Sequence, residues 1–86
     1  MPSAAFETAA AEVKKFKTTP NNDELLKLYG LFKQAKEGDS KNDKPSVFDP
    51  RARAKWQHWE DLKGTLPAEA ETQYIALVEE LKPKYT

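Results

Sequence analysis

The 86-residue sequence contains no cysteine and a single histidine, His58. Disulfides, thiolate zinc sites, cysteine nucleophiles and His-rich metal sites are therefore excluded. Glycine is scarce, at three residues, and forms no phosphate-binding loop. No apolar run approaches the roughly 20 residues of a membrane span, so no stable membrane insertion is expected. The start, Met1-Pro2-Ser3-Ala4-Ala5-Phe6-Glu7, has neither a basic region nor a long apolar stretch, so a signal peptide is not expected. Charge of one sign is not in excess either. Fourteen Lys+Arg balance fourteen Asp+Glu, which does not point to nucleic acid.

What is present argues for an ordered chain. The mean hydropathy of −0.83 is polar, but two Trp, three Tyr and four Phe oppose disorder. The length suits one small domain over 1–86. Such a domain buries only about 60–65% of its unfolded surface. It cannot wall off a large cavity, so a sizeable ligand is expected in an open groove.

No stretch alternates apolar and polar residues long enough to suggest a strand, whereas helical spacing recurs four times. The first segment, about 4–17, carries Phe6, Ala10, Val13 and Phe16 on one face. Ser3 is its expected N-cap, and Thr18-Thr19-Pro20 its stop. The second, about 22–37, opens on a capping box of Asn21 and Glu24 and stops at Gly38. Gly30 inside it costs about 1 kcal/mol relative to Ala. Residues 39–48 form the one long polar loop. Asp49-Pro50 then opens the third segment as N-cap and N1, and Lys63-Gly64 ends it. The fourth, about 67–82, repeats Ala70, Tyr74, Leu77, Val78 and Leu81, and Pro83 is expected to end or fray it. Four amphipathic helices imply an all-α four-helix bundle. The short connections around Pro20 and Gly64 favour antiparallel neighbours for helices one–two and three–four. The long loop is able to cross the bundle, so helices two and three need not be antiparallel neighbours.

Chemistry is harder to find. His58 sits opposite the Ala52–Trp56–Trp59 face and is expected to be a surface residue. Glu79-Glu80 and Glu60-Asp61 are sequence neighbours that diverge around their helices, as a solvated face does. These residues point to a binder, not an enzyme. Leu25, Leu26, Leu28, Tyr29, Leu31 and Phe32 cannot all face one core, so some must line a groove or stay exposed. Trp56 and Trp59, three apart, are by default core packing. Arg51, Arg53 and Lys55 place three cations within five residues, and Tyr29 and Lys33 stack one turn apart. A phenol beside an ammonium suits a phosphate oxygen; a lysine snorkelling from a helix edge is the plainer account.

Tyr29-Gly30-Leu31-Phe32-Lys33-Gln34-Ala35, Gly38-Asp39, Ala54-Lys55-Trp56-Gln57-His58-Trp59, Leu62-Lys63-Gly64 and Tyr74 strongly resemble the acyl-CoA-binding protein family. The combination is specific and spans most of the chain. The resemblance implies an up-down-down-up bundle that binds medium- and long-chain acyl-CoA esters in a surface bowl. It implies a monomeric cytoplasmic carrier and pool former, with no catalysis, cofactor or metal. By that resemblance Tyr29, Lys33 and Lys55 bind the 3′-phosphate of the CoA ribose. Lys14 and Tyr74 border the nucleotide, with Ala10 beneath it, and Leu25 and Leu26 line the acyl groove. Arg51 stands where the family usually has Lys. Phe32 stands where Tyr is common, so a hydroxyl contact is lost. Val47-Phe48 keeps the apolarity of a common Met-Leu pair. A helical module that docks a partner's helix on the exposed stripe is the alternative from a different class.

Overall fold

The computed structural model describes residues 3–40 and 48–86, which fold into four helices: α1 (Ala4–Val13), α2 (Asn22–Glu37), α3 (Pro50–Glu60) and α4 (Pro67–Tyr85). Local chemistry sets their starts. The Ser3 hydroxyl accepts from the Phe6 N–H at 3.1 Å. Asn21 and Glu24 exchange hydrogen bonds as a full capping box, at 2.9 and 3.0 Å. The Asp49 carboxylate accepts from the Ala52 N–H at 3.1 Å with Pro50 at the first helical position. Gly38 closes α2 at φ 77°, a conformation that costs glycine no Cβ clash. Most of the long loop, residues 41–47 including Val47, lies outside the described residues, as do Met1 and Pro2.

Three boundaries differ from the expected ones. α1 ends at Val13 rather than near residue 17. The Lys15 and Phe16 N–H groups turn to tight bonds with Glu12 and Val13, and the Lys17 N–H then donates to the Tyr85 carbonyl at 2.8 Å. Tertiary contacts capture those residues before a further helical turn can form. α3 gives way to a turn at Asp61, ahead of Lys63-Gly64. Pro83 does not end α4, which runs on to Tyr85. Proline removes its own donor, but the next residues still bond backwards, and the Thr86 N–H reaches the Lys82 carbonyl at 3.0 Å. Tyr85 is also anchored. Its ring stacks on Phe16 at 6.0 Å and its hydroxyl donates to Glu24.

Pair contacts define the topology. α1 and α4 run parallel: Ser3 N–H meets Glu71 near their starts, Glu12 pairs with Lys82 farther on, and Lys17 meets Tyr85 at the end. α2 runs against α4, because Glu24 meets Lys84 and Tyr85 whereas Gln34 donates to the Thr65 carbonyl just before α4. α3 runs with α2: Asn22 and Pro50 share a depression, Gly30 abuts His58, and the Trp59 indole donates to Gly38. The order is thus up-down-down-up. Helices one–two and three–four are antiparallel as expected, but among the described residues their backbones do not lie side by side. α2 is the hub, holding α3 on one side and α4 on another, and α1 lies on α4.

The main core cluster of the described residues draws on α1, α2 and α4: Phe6, Ala9, Leu28, Leu31, Ala35, Ala70, Tyr74, Val78 and Leu81. Phe6 joins all three, its ring 5.5 Å from Phe32 and 5.0 Å from Tyr74. Of the expected α1 face, Ala10 and Val13 are only half-buried and Ala9 is buried instead. α3 buries Trp59, while Trp56 is half-buried. α3 comes close to α2 because Gly30 lacks a Cβ, which would lie 2.9 Å from the His58 carbonyl oxygen. His58 is accordingly half-buried, not a plain surface residue.

Candidate binding site

The surplus on α2 divides as the geometry demands. Leu28 and Leu31 enter the core, whereas Leu26, Tyr29 and Phe32 are half-buried and Leu25 is 38% exposed. Because α1 and α2 both lean on α4 without lying side by side, an open depression of ≈ 840 Å³ remains between them. Its floor is Leu28, Phe32 and Tyr74; Ala10, Val13 and Lys14 form the α1 wall, and Leu25, Tyr29 and Lys55 the opposite side. A second depression of ≈ 480 Å³ runs between the N-terminal halves of α2 and α3. Leu26, Pro50, Arg51 and Ala54 line it. The two share Leu25, Tyr29 and Lys55, so they meet at those side chains.

Nine of the ten expected ligand-binding residues line this pair of depressions: Ala10, Lys14, Leu25, Leu26, Tyr29, Phe32, Arg51, Lys55 and Tyr74. Lys33 does not. Its ammonium lies 2.5 Å from the Glu37 carboxylate and 5.2 Å over the Trp59 ring. Arg53 also lies outside both linings. Sequence reasoning left out Lys36, whose ammonium sits 5.2 Å over the Phe32 ring at the depression's edge. The Phe32–Lys36 spacing of one turn, the same as Tyr29–Lys33, was the signal for it.

Electrostatics suit this surface to an anion. Among the described residues, Lys63, Lys82, Lys84 and Lys33 each hold a carboxylate, whereas the lining cations Lys14, Lys15, Lys36, Arg51 and Lys55 hold none, as is also true of Lys17, Lys27 and Arg53 outside the lining. Lys55 instead sits 5.5 Å over the Tyr29 ring. Glu7 is the single acid in the described lining. An apolar floor edged by uncompensated cations suits a ligand with an apolar part and an anionic part. Burial pushes the Tyr74 phenol pKa up, so the phenol stays protonated and able to donate. Among the described residues no cluster of His, Cys, Asp or Glu could hold a metal, and no helix is long and apolar enough to cross a membrane.

The base of the site is braced from two ends. At the start of α2, the buried Glu24 accepts from the Tyr85 hydroxyl, the Asn21 N–H and Lys84. The Tyr85 bond leads in holding its carboxyl below the usual carboxylate range. At the end of α2, Asp39 accepts from the Gly64 N–H at 2.8 Å and from Gln34 at 3.0 Å, which also lowers its pKa. These bonds fix the ends of the helix that carries most of the apolar lining.

The family model described as "Acyl CoA binding protein" matches residues 3–78. The chain belongs to the acyl-CoA-binding protein family. It is 54% identical over 81 residues to acyl-CoA-binding protein homolog 1 of Caenorhabditis elegans, covering 94% of each chain. It is 48% identical over 86 residues to the acyl-CoA-binding protein of Saccharomyces cerevisiae, covering 100% of this chain and 99% of the yeast one. The solution structure of the yeast acyl coenzyme A binding protein superposes with a TM-score of 0.79 at 48% identity, over 96% of both chains. The crystal structure of acyl-CoA-binding protein 2 from Oryza sativa gives 0.88 at 35% identity, over 93% of this chain and 89% of that one. Acyl-CoA binding follows from family membership, and the all-α bundle of these structures is the fold described above.

Proposed function

We propose that this chain binds medium- and long-chain acyl-CoA esters in the paired depressions. It would serve as a monomeric cytoplasmic carrier and pool former, without catalysing a reaction. The observation that carries the reading is the joining of an apolar trough to cations that hold no carboxylate among the described residues: Leu25 and Leu26 share the paired depressions with Lys14, Arg51 and Lys55. In this reading Tyr29, Lys55 and Lys33 hold the 3′-phosphate of the CoA ribose. Lys14 and Tyr74 border the nucleotide over Ala10, Phe32 supplies an apolar wall, and Arg51 adds charge. Leu25 and Leu26 cover the acyl chain.

Both halves of the ligand are needed. Each methylene removed from water contributes about 0.8 kcal/mol, and each charge-assisted hydrogen bond about 1.5–3 kcal/mol. The trough is open to solvent, so a tail is covered in part and the head supplies orientation. Calorimetric titration with palmitoyl-CoA, free CoA and palmitate tests this. Palmitoyl-CoA should bind much more tightly than either fragment, with affinity rising with acyl length until the trough is full. Equal affinity for CoA and palmitoyl-CoA would remove the acyl role. Absence of binding to all three would leave the exposed stripe to a partner helix.

A further inference from the structure

Lys33 lies one turn beyond Tyr29 on α2, yet its ammonium is turned away from the depressions that Tyr29 and Lys55 line. Two partners hold it: the Glu37 carboxylate at 2.5 Å and the face of the Trp59 ring at 5.2 Å. The pair is accessible, with the side chains 28% and 52% exposed. The Glu37 hydrogen bond also leads in raising the Lys33 pKa, so the lysine is charged and engaged. Among the described residues, Lys14, Arg51 and Lys55 have no such tether. We propose that Glu37 is an affinity-determining residue: it competes with the ligand's phosphate for Lys33. The inference rests on the acyl-CoA reading above.

The physical argument has two parts. A phosphate that recruits Lys33 must first break an ion pair between residues one helical turn apart. Once the phosphate is seated, the freed carboxylate stands one side-chain length from a dianion, and like charges at that range repel even in water. Both effects weaken binding, and both vanish when residue 37 is neutral. Neither reaches a ligand that lacks this phosphate. Glu37 is also in the last turn of α2, where a carboxylate opposes the helix dipole, so neutralising it leaves the helix intact.

The test is Glu37→Gln, alone and combined with Lys33→Ala, titrated against palmitoyl-CoA and its 3′-dephospho analogue. Glu37→Gln should tighten palmitoyl-CoA binding about two- to fivefold, as expected for losing one exposed ion pair and one repulsion. The gain should disappear with the dephospho analogue and in the Lys33→Ala background. Unchanged or weaker binding of palmitoyl-CoA by Glu37→Gln overturns the proposal, as does an equal gain without the phosphate or without Lys33. If wild type binds palmitoyl-CoA but Glu37→Gln changes nothing, only the role of Glu37 falls. If wild type binds none, the acyl-CoA reading falls with it.

Discussion

Replacing Lys55 by Ala separates a ligand contact from a structural one. In the free protein the Lys55 ammonium touches no carboxylate among the described residues, and its neighbour is the Tyr29 ring at 5.5 Å. The side chain is exposed on α3, at the point where the two depressions meet. An exposed cation–π contact is worth about 0.5–1 kcal/mol, and Ala is the better helix former. Folding stability should therefore change by less than about 1 kcal/mol. Binding should change far more, because one charge-assisted hydrogen bond to phosphate contributes about 1.5–3 kcal/mol. At about 1.4 kcal/mol per tenfold, that is a loss of roughly 10- to 150-fold in affinity for palmitoyl-CoA. Titration calorimetry gives the affinity and a urea melt followed by circular dichroism gives the stability. Lys55→Arg, which keeps the charge, should recover most of the binding, and the loss should shrink with the 3′-dephospho ligand. An affinity within twofold of wild type would place Lys55 outside the ligand's reach and undo the assignment of the phosphate to this corner.

Val78 is fully buried on α4. Val78→Ala should cost about 1–3 kcal/mol through lost burial and a cavity, seen in a denaturant melt; a loss below about 0.5 kcal/mol would contradict the tight α1–α2–α4 core. Acid should destabilise the fold through Glu24: its pKa is depressed on folding, so its contribution is full above the ordinary carboxylate pKa and is lost as pH falls through the lowered value. Glu24→Gln should make the acid limb of a stability-against-pH curve shallower, with Asp39 and Glu71 supplying the remainder; an unchanged limb would show that the Tyr85 bond has no thermodynamic weight. Gly30→Ala should fail to give the roughly 1 kcal/mol that Ala adds in an ordinary helix interior, because its Cβ meets the His58 backbone at 2.9 Å. A full gain in a thermal melt would mean that α3 slides away from α2 freely.

Much of this molecule is local and therefore legible in the chain. Ser3, the Asn21–Glu24 box, Gly38 and Asp49-Pro50 act through hydrogen bonds or dihedral angles a few residues away, so they mark helix ends without knowledge of the fold. The 3.6-residue repeat of Ala70, Tyr74, Val78 and Leu81 identifies a buried face for the same reason. The overloaded stripe on α2 implies a surface beyond the core. Which of its residues form that surface depended on where the other helices lie. Leu28 is buried because α4 takes one side of α2, whereas Leu25 faces the depressions, which no helix of the described residues covers. The end of α1 and the passage of α4 through Pro83 were decided by Tyr85, Phe16 and Lys17, which meet across some 70 residues of chain. Lys33 is the clearest case. Its spacing puts it on the stripe with Tyr29, but a long flexible side chain goes to the strongest partner within reach. That partner is set by α2 carrying Glu37 one turn on and by α3 bringing Trp59 alongside. Sequence spacing determines which face a residue occupies; only the packed neighbours determine what its charged end touches.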